Sequence, residues 1–273
     1  MNNFIGLKKW RFHLGVHKTA TTHLQEVLYS QKERLAEQGI DYIPTADLRS
    51  ATRDVFHKRY FRRTRVRMNI RSKLPVTILS EENWLGDAKD GCMQVMYPGL
   101  ERRLRAVFRP HSVAFLAVRH PADFASSLYA EALRHHPSMV SSKETKHAFL
   151  NRENIWLQLV LRVKEIFPET YVWRYEDYRA NAEQYISLLA GTKLSVPKIP
   201  DPIATKRLSA EAVKHIEQLN AATGPVANLA EPADIPSADK FQLFDDAERA
   251  HLSIGYSHDL SELERMGILL LPD

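Results

Sequence analysis

At 273 residues the chain is long enough to bury a substantial core, and one large α/β domain fits that length better than two small ones. With 44% hydrophobic and 26% charged residues the composition is that of a soluble globular protein, and no run approaches the ~20 apolar residues that span a bilayer. A net charge of +5 favours anionic partners without separating a nucleotide from RNA or a polysaccharide, and the single cysteine, Cys92, excludes an intrachain disulfide.

The short N-terminal stretch has no apolar core of the signal-peptide kind, so a cytoplasmic location is expected. A first strand is predicted over 10–16 and a helix over 21–38, with Leu24, Val27, Leu28 and Leu35 on one face and Gly39 as its stop. A second strand follows over 40–43. The stretch 49–73 carries ten Lys and Arg against one acid, Asp54. A third strand over 76–79 ends in Ser80, Glu81 and Glu82. A helix is predicted over 100–108, and the run 112–118 is apolar enough for a buried parallel strand. An amphipathic helix follows over 121–134, another over 154–167, and a fifth strand over 171–174. Beyond 191 the pattern changes: Pro197, Pro200 and Pro202 mark a loop, Ser209 caps a helix to about 219, and 238–266 reads as helical in pieces. The alternation predicts a three-layer α/β/α domain around a parallel sheet. The whole chain is expected to form one domain, with a core over 1–190 and a mostly helical extension over 191–273.

Between the first strand and the first helix the chain reads His13-Leu14-Gly15-Val16-His17-Lys18-Thr19-Ala20-Thr21-Thr22-His23. Backbone N–H groups and a helix N-terminus point at an anion in such a turn. Gly15 permits a tight turn, Ala20 a close backbone approach, Lys18 supplies a point charge, and Thr19, Thr21 and Thr22 supply hydroxyls. His17 precedes the lysine where a Walker A motif has Gly, which disfavours a nucleoside triphosphatase. The plainer alternative is a strand–helix connection with a Thr cap. Farther on, Arg119 and Pro121 follow the fourth strand, and Ser127 lies eight residues after Arg119. An Arg and a Ser so placed can clamp a phosphate.

These segments resemble those of sulfotransferases that use 3′-phosphoadenosine 5′-phosphosulfate (PAPS), in the bacterial manner. Lys18, Thr19, Ala20, Thr21 and Thr22 match the 5′-phosphosulfate loop, Ala20 standing where the family has Gly. Arg119, Pro121 and Ser127 match its 3′-phosphate element, and Lys206 with Arg207 is similar to a late basic loop that closes over the donor. The resemblance implies a P-loop nucleoside-kinase-like fold, and PAPS as donor with 3′-phosphoadenosine 5′-phosphate (PAP) as product. It also implies direct in-line transfer of a sulfuryl group to an acceptor hydroxyl, with Gly15 and His17 also in the donor loop.

That reaction needs a base for the hydroxyl proton and a cation for the leaving phosphate. Lys18 suits the second task. For the first, Glu81 is the first candidate and Glu82 the second, with His17 and His57 as rivals. No metal-ligand spacing stands out, so no catalytic metal is expected. The basic stretch 49–73 suits the acceptor side of a cleft for an anionic glycan, a solvated helix face, or an RNA-binding surface; nucleic acid is not the expected partner. Carbohydrate, lipid-linked sugar and small hydroxylated metabolite all remain open as acceptors. The rival functions are a small-molecule kinase of related fold and a non-catalytic nucleotide- or polyanion-binding module.

Overall fold

The computed structural model describes residues 8–52, 68, 72–135, 140–196, 208–223 and 240–272. Five parallel strands form one sheet: β1 (Lys9–His13), β2 (Ile40–Ile43), β3 (Val76–Ser80), β4 (Ser112–Val118) and β5 (Glu169–Arg174), in the order β2-β3-β1-β4-β5. The register runs Phe12 against Leu79 on one side of β1 and Phe12 against Ala114 on the other. Strand β1 therefore stands in the middle, with β3 and β4 beside it. A crevice opens beyond the carboxyl ends of such strands, where the strand order reverses.

Both faces of the sheet are covered, because successive strand residues point to opposite sides. On one face Phe115, Ala117 and Trp173 meet α1 (Thr21–Ser30), α2 (Lys32–Glu37) and α9 (Tyr175–Ala190) through Leu24, Leu28, Leu35, Tyr185 and Leu189. On the other, Phe12, Ala114, Leu116 and Val118 meet α5 (Leu100–Val107), α6 (Pro121–His135), α8 (Ile155–Lys164), α10 (Ala210–Thr223) and α11 (Asp246–Arg265). The other α-helices among the described residues are α3 (Thr45–Thr52), the single turn α4 (Ala88–Gly91) and α7 (Ser142–Leu150). This is the α/β/α arrangement that the alternation predicts.

Two expectations need correction. The helix over 21–38 is two helices, because Gln31 leaves the α region (φ −108°, ψ 12°) while Leu35 still reaches the core. The tail is not helical in pieces among its described residues: α11 runs unbroken for 20 residues. It starts with a capping box in which Asp245 and Glu248 bond each other's backbone N–H. No helix among the described residues is long and apolar enough to cross a membrane.

Candidate anion-binding and transfer site

The turn after β1 is held by two of its own threonines and by β4, whose Ala117 exchanges backbone hydrogen bonds with Gly15 and Val16. Gly15 has φ +91°, and a Cβ there would lie 2.8 Å from the Glu82 Cβ, so glycine is required both for conformation and for close approach. Thr19 Oγ1 donates to the Val16 carbonyl at 2.6 Å, and Thr21 Oγ1 to the same oxygen at 3.3 Å. Neither threonine caps the helix. The N-cap is Ala20, in the left-handed region (φ 63°), and it offers no side-chain acceptor to the first turn of α1. The unpaired amide donors of that turn are thus left for an anion. Lys18, also at positive φ (62°), sends its ammonium to Glu131 Oε2 at 3.2 Å. Thr22 is exposed on the first turn of α1.

Arg119, at the end of β4, is buried and reaches back across the crevice. Its guanidinium donates to the Lys18 carbonyl at 2.9 Å and lies 4.6 Å over the ring of Tyr175. Its own carbonyl accepts from Trp156 Nε1 at 2.8 Å. Ser127 projects from α6 beside a cavity of about 10 Å³ lined by Asp123, Ser126, Ser127, Ala130, Leu208, Phe241 and Gln242. The two serines differ. Ser126 Oγ donates to the Ala122 carbonyl and accepts from the Leu243 N–H, whereas Ser127 Oγ is buried with no hydrogen-bond partner. Lys206 and Arg207 lie outside the described residues, although Leu208 beside them forms part of the cavity wall.

The end of β3 separates its two carboxylates. Glu81 is buried and bound by the Arg49 fork at 2.6 and 3.2 Å, and it also accepts from the Asn83 N–H at 3.0 Å. Burial raises its carboxyl above the usual range, and Arg49 pulls it partly back. Glu82 has a different environment. Its Cβ faces Gly15, Arg49 stands 3.7 Å from Oε1, and Oε2 is sealed from solvent with no partner. Burial raises this carboxyl too, the Arg49 and Lys18 charges lower it, and Glu131 raises it further. Glu81 is engaged on both oxygens, whereas Glu82 Oε2 is buried beside the loop without a partner.

His17 is fully occupied. The Asn83 side-chain oxygen, 3.1 Å from Nε2, can only accept, so Nε2 carries the proton and Nδ1 accepts from the Tyr97 hydroxyl at 3.0 Å. Burial lowers its pKa, against the Asn83 bond and the nearby carboxylates, so the ring stays neutral. It ties the loop to the turn after β3 and offers no free nitrogen as a base. His57 and most of the stretch 49–73 lie outside the described residues. Arg49, within them, faces the buried Glu81.

Sequence reasoning passed over Asp123 and Glu131. Both lie on α6 four residues from Ser127, one on each side, so the three side chains share one face. The rest of α6 is largely buried apolar surface. A polar line at four-residue spacing through an apolar helix was the available signal.

Neither a protein-family model nor a curated protein matches this chain. Solved structures do. One is a sulfotransferase from Alicyclobacillus acidocaldarius, 16% identical, covering 98% of each chain with a TM-score of 0.48. Another is retinol dehydratase in complex with androsterone and inactive cofactor PAP, 13% identical over 94% of this chain and 82% of that one, with a TM-score of 0.40. A third is a mouse sulfotransferase complexed with PAP, 13% identical over 95% and 85%, with a TM-score of 0.39.

Proposed function

We propose that this protein is a sulfotransferase that takes the sulfuryl group of PAPS and passes it to the hydroxyl of an acceptor. The observation that carries the reading is the bond from the Arg119 guanidinium to the Lys18 carbonyl, which joins two phosphate-type motifs 101 residues apart at one crevice. The residues fit such a donor in three ways. The first turn of α1 has no side-chain cap, Ser127 has a buried hydroxyl without a partner, and Gly15 lets the loop approach the turn carrying Glu82.

In this reading the loop amides, Lys18 and Thr22 hold the 5′-phosphosulfate, while Thr19 and Thr21 brace the loop through Val16. Arg119 and Ser127 hold the 3′-phosphate. The Glu82 carboxylate takes the hydroxyl proton as the acceptor oxygen attacks sulfur, and the sulfur–oxygen bond to the 5′-phosphate breaks. The electron pair leaves on that phosphate, where the Lys18 ammonium offsets the charge. Lys18 must first leave Glu131. Carbohydrate hydroxyls are the first acceptors to test.

Calorimetric titration of PAP into the wild type, Lys18→Ala and Arg119→Ala, with magnesium ATP as control, tests the donor assignment. The expected result is binding of PAP by the wild type, weakened in both variants, and none of ATP. A preference for ATP, or no binding of PAP, would replace this reading with a kinase or a binding module.

A further inference from the structure

The Glu131 carboxylate already holds an ammonium. Lys18 Nζ lies 3.2 Å from its Oε2, and the two side chains are only 22% and 29% exposed. His135, one turn along α6, stands 3.2 Å from Oε1 but is itself 56% exposed. Burial would raise the Glu131 carboxyl, but Lys18, with Arg134 and His135, holds it below its ordinary value. The proposed reaction takes the Lys18 ammonium away to the 5′-phosphosulfate. Only the side chain has to swing, because the Arg119 guanidinium holds the Lys18 carbonyl at 2.9 Å. Oε2 is then a partly buried carboxylate oxygen that has lost its cation, a costly state. Glu82, whose Oε2 is buried without a partner, feels the charges of both Lys18 and Glu131, so the vacated place lies close to both carboxylates. A hydroxyl put there supplies a hydrogen bond but no charge, whereas an ammonium supplies both.

We propose that Glu131 recognises the acceptor, and that the acceptor carries an ammonium beside the hydroxyl that receives the sulfuryl group, as an amino sugar or another amino alcohol does. The assignment rests on the donor reading above and adds the class of acceptor to it. In the free protein Lys18 Nζ stands in for the acceptor's ammonium. Donor binding draws Lys18 onto phosphate, the acceptor's ammonium takes its place on Oε2, and the neighbouring hydroxyl meets the Glu82 carboxylate. Donor and acceptor each relieve a cost that the other creates. Lys18 leaves more readily when a second cation replaces it, and Oε2 is free for that cation only when the donor is bound. The two ligands therefore bind with positive cooperativity, equal in both directions. An anionic glycan, which the net charge of the chain favours, would instead meet Glu131 and Glu82 at this point.

The test is calorimetric titration of PAP into the wild type and Glu131→Gln, in glucosamine hydrochloride or in glucose with matching sodium chloride, at a pH where the amine is protonated. The two sugars differ only in that amino group. The wild type is expected to bind PAP about two- to fivefold more tightly in glucosamine than in glucose, the range for one partly exposed ion pair. By linkage, glucosamine binds the PAP complex more tightly than the free protein by the same factor, which ligand-observed NMR checks. Glu131→Gln is expected to bind PAP at least as tightly as the wild type in glucose, since no ion pair restrains Lys18, and to show no difference between the sugars. Equal PAP affinity in the two sugars for the wild type would overturn the proposal, as would a glucosamine effect that persists in Glu131→Gln. Weaker PAP binding by Glu131→Gln in glucose would make the Lys18 pair a brace of the donor loop and overturn it too. A wild type that binds no PAP in either sugar would remove the donor reading itself, and this assignment with it.

Discussion

At the end of β1 part of the bracing is local, whereas at the end of β4 the charge is held by elements remote in sequence. Thr19 and Thr21 tie the first loop to Val16, three and five residues away. Arg119 depends on the β1 loop, on Tyr175 at the start of α9 and on Trp156 in α8. The cavity beside Ser127 takes its far wall from Leu208, Phe241 and Gln242 in the C-terminal extension. A loop braced in this way can keep its shape while its one long side chain changes partner, as Lys18 must when it leaves Glu131 for a phosphate. An assembled pocket changes shape when any of its contributors moves. In the proposed reaction, then, chemistry belongs to the β1 and β3 ends, and recognition of the 3′-phosphate to the β4 end.

The sharpest division of labour is expected from Glu82→Gln. Removing the base lowers kcat by about 10²–10⁴-fold, the usual contribution of a positioned proton acceptor, with PAP affinity unchanged. Because burial raises the Glu82 carboxyl above its ordinary 4.5, the acid limb of the wild-type kcat/KM profile lies above that value and disappears in the variant. Glu131 raises it too, so Glu131→Gln moves the limb to lower pH. A pH profile that Glu82→Gln leaves in place would assign the base elsewhere. Steady-state kinetics with any acceptor that turns over measures both effects.

Next in size is Arg119→Lys, which keeps the charge but loses the planar fork and the stacking on Tyr175. PAP binding is expected to weaken about tenfold by calorimetry, with the melting temperature little changed because the β1 loop keeps its bonds through Thr19, Thr21, His17 and the Ala117 backbone. A large loss of thermal stability would break the comparison, since the loop would then depend on the Arg119 side chain.

The turn between these two regions can be tested through Arg49→Ala, which leaves the Glu81 carboxylate buried without its cation. The expected cost is about 1–2 kcal/mol near neutral pH, below the figure for a fully buried pair because Arg49 is half exposed. The pH dependence has a definite sign. Glu81 titrates above 4.5 when folded, so the folded state holds the proton longer than the unfolded chain, and stability falls as pH rises from 4.5 through the folded value. Without Arg49 that value rises further and the fall extends to higher pH. The difference between variant and wild type should therefore be small below pH 4.5 and grow toward neutrality in urea unfolding.

How much of this was legible follows the same contrast. The β1 loop could be read because its residues are contiguous and their chemistry is unusual for a plain connection. The strands could be read because a strand buried on both faces must be apolar. The distinction between Glu81 and Glu82 was hidden, since it depends on Arg49, 32 residues away, which looked like one charge among ten in a basic stretch. The continuity of helix α11 was hidden because its buried residues are few, Leu252, Tyr256, Asp259 and Leu263, and one of them is an acid. Asp259 accepts from the Trp156 N–H, a contact across 103 residues that no local pattern announces.

The smallest expected effect tests the local bracing most directly. Ala20 has φ 63°, a left-handed conformation that costs an L-residue with a Cβ about 1–2 kcal/mol. Glycine removes that cost but makes the unfolded chain freer by about 0.4–1 kcal/mol. Ala20→Gly should therefore stabilise the protein by about 0.5–1 kcal/mol, a small rise in melting temperature that calorimetry resolves. If the Val16 contacts of Thr19 and Thr21 and the Ala117 backbone bonds hold the loop, PAP affinity stays as it was. A glycine that stabilises the fold yet weakens PAP binding would mean that the alanine Cβ, and not only those bonds, keeps the loop in its anion-binding shape.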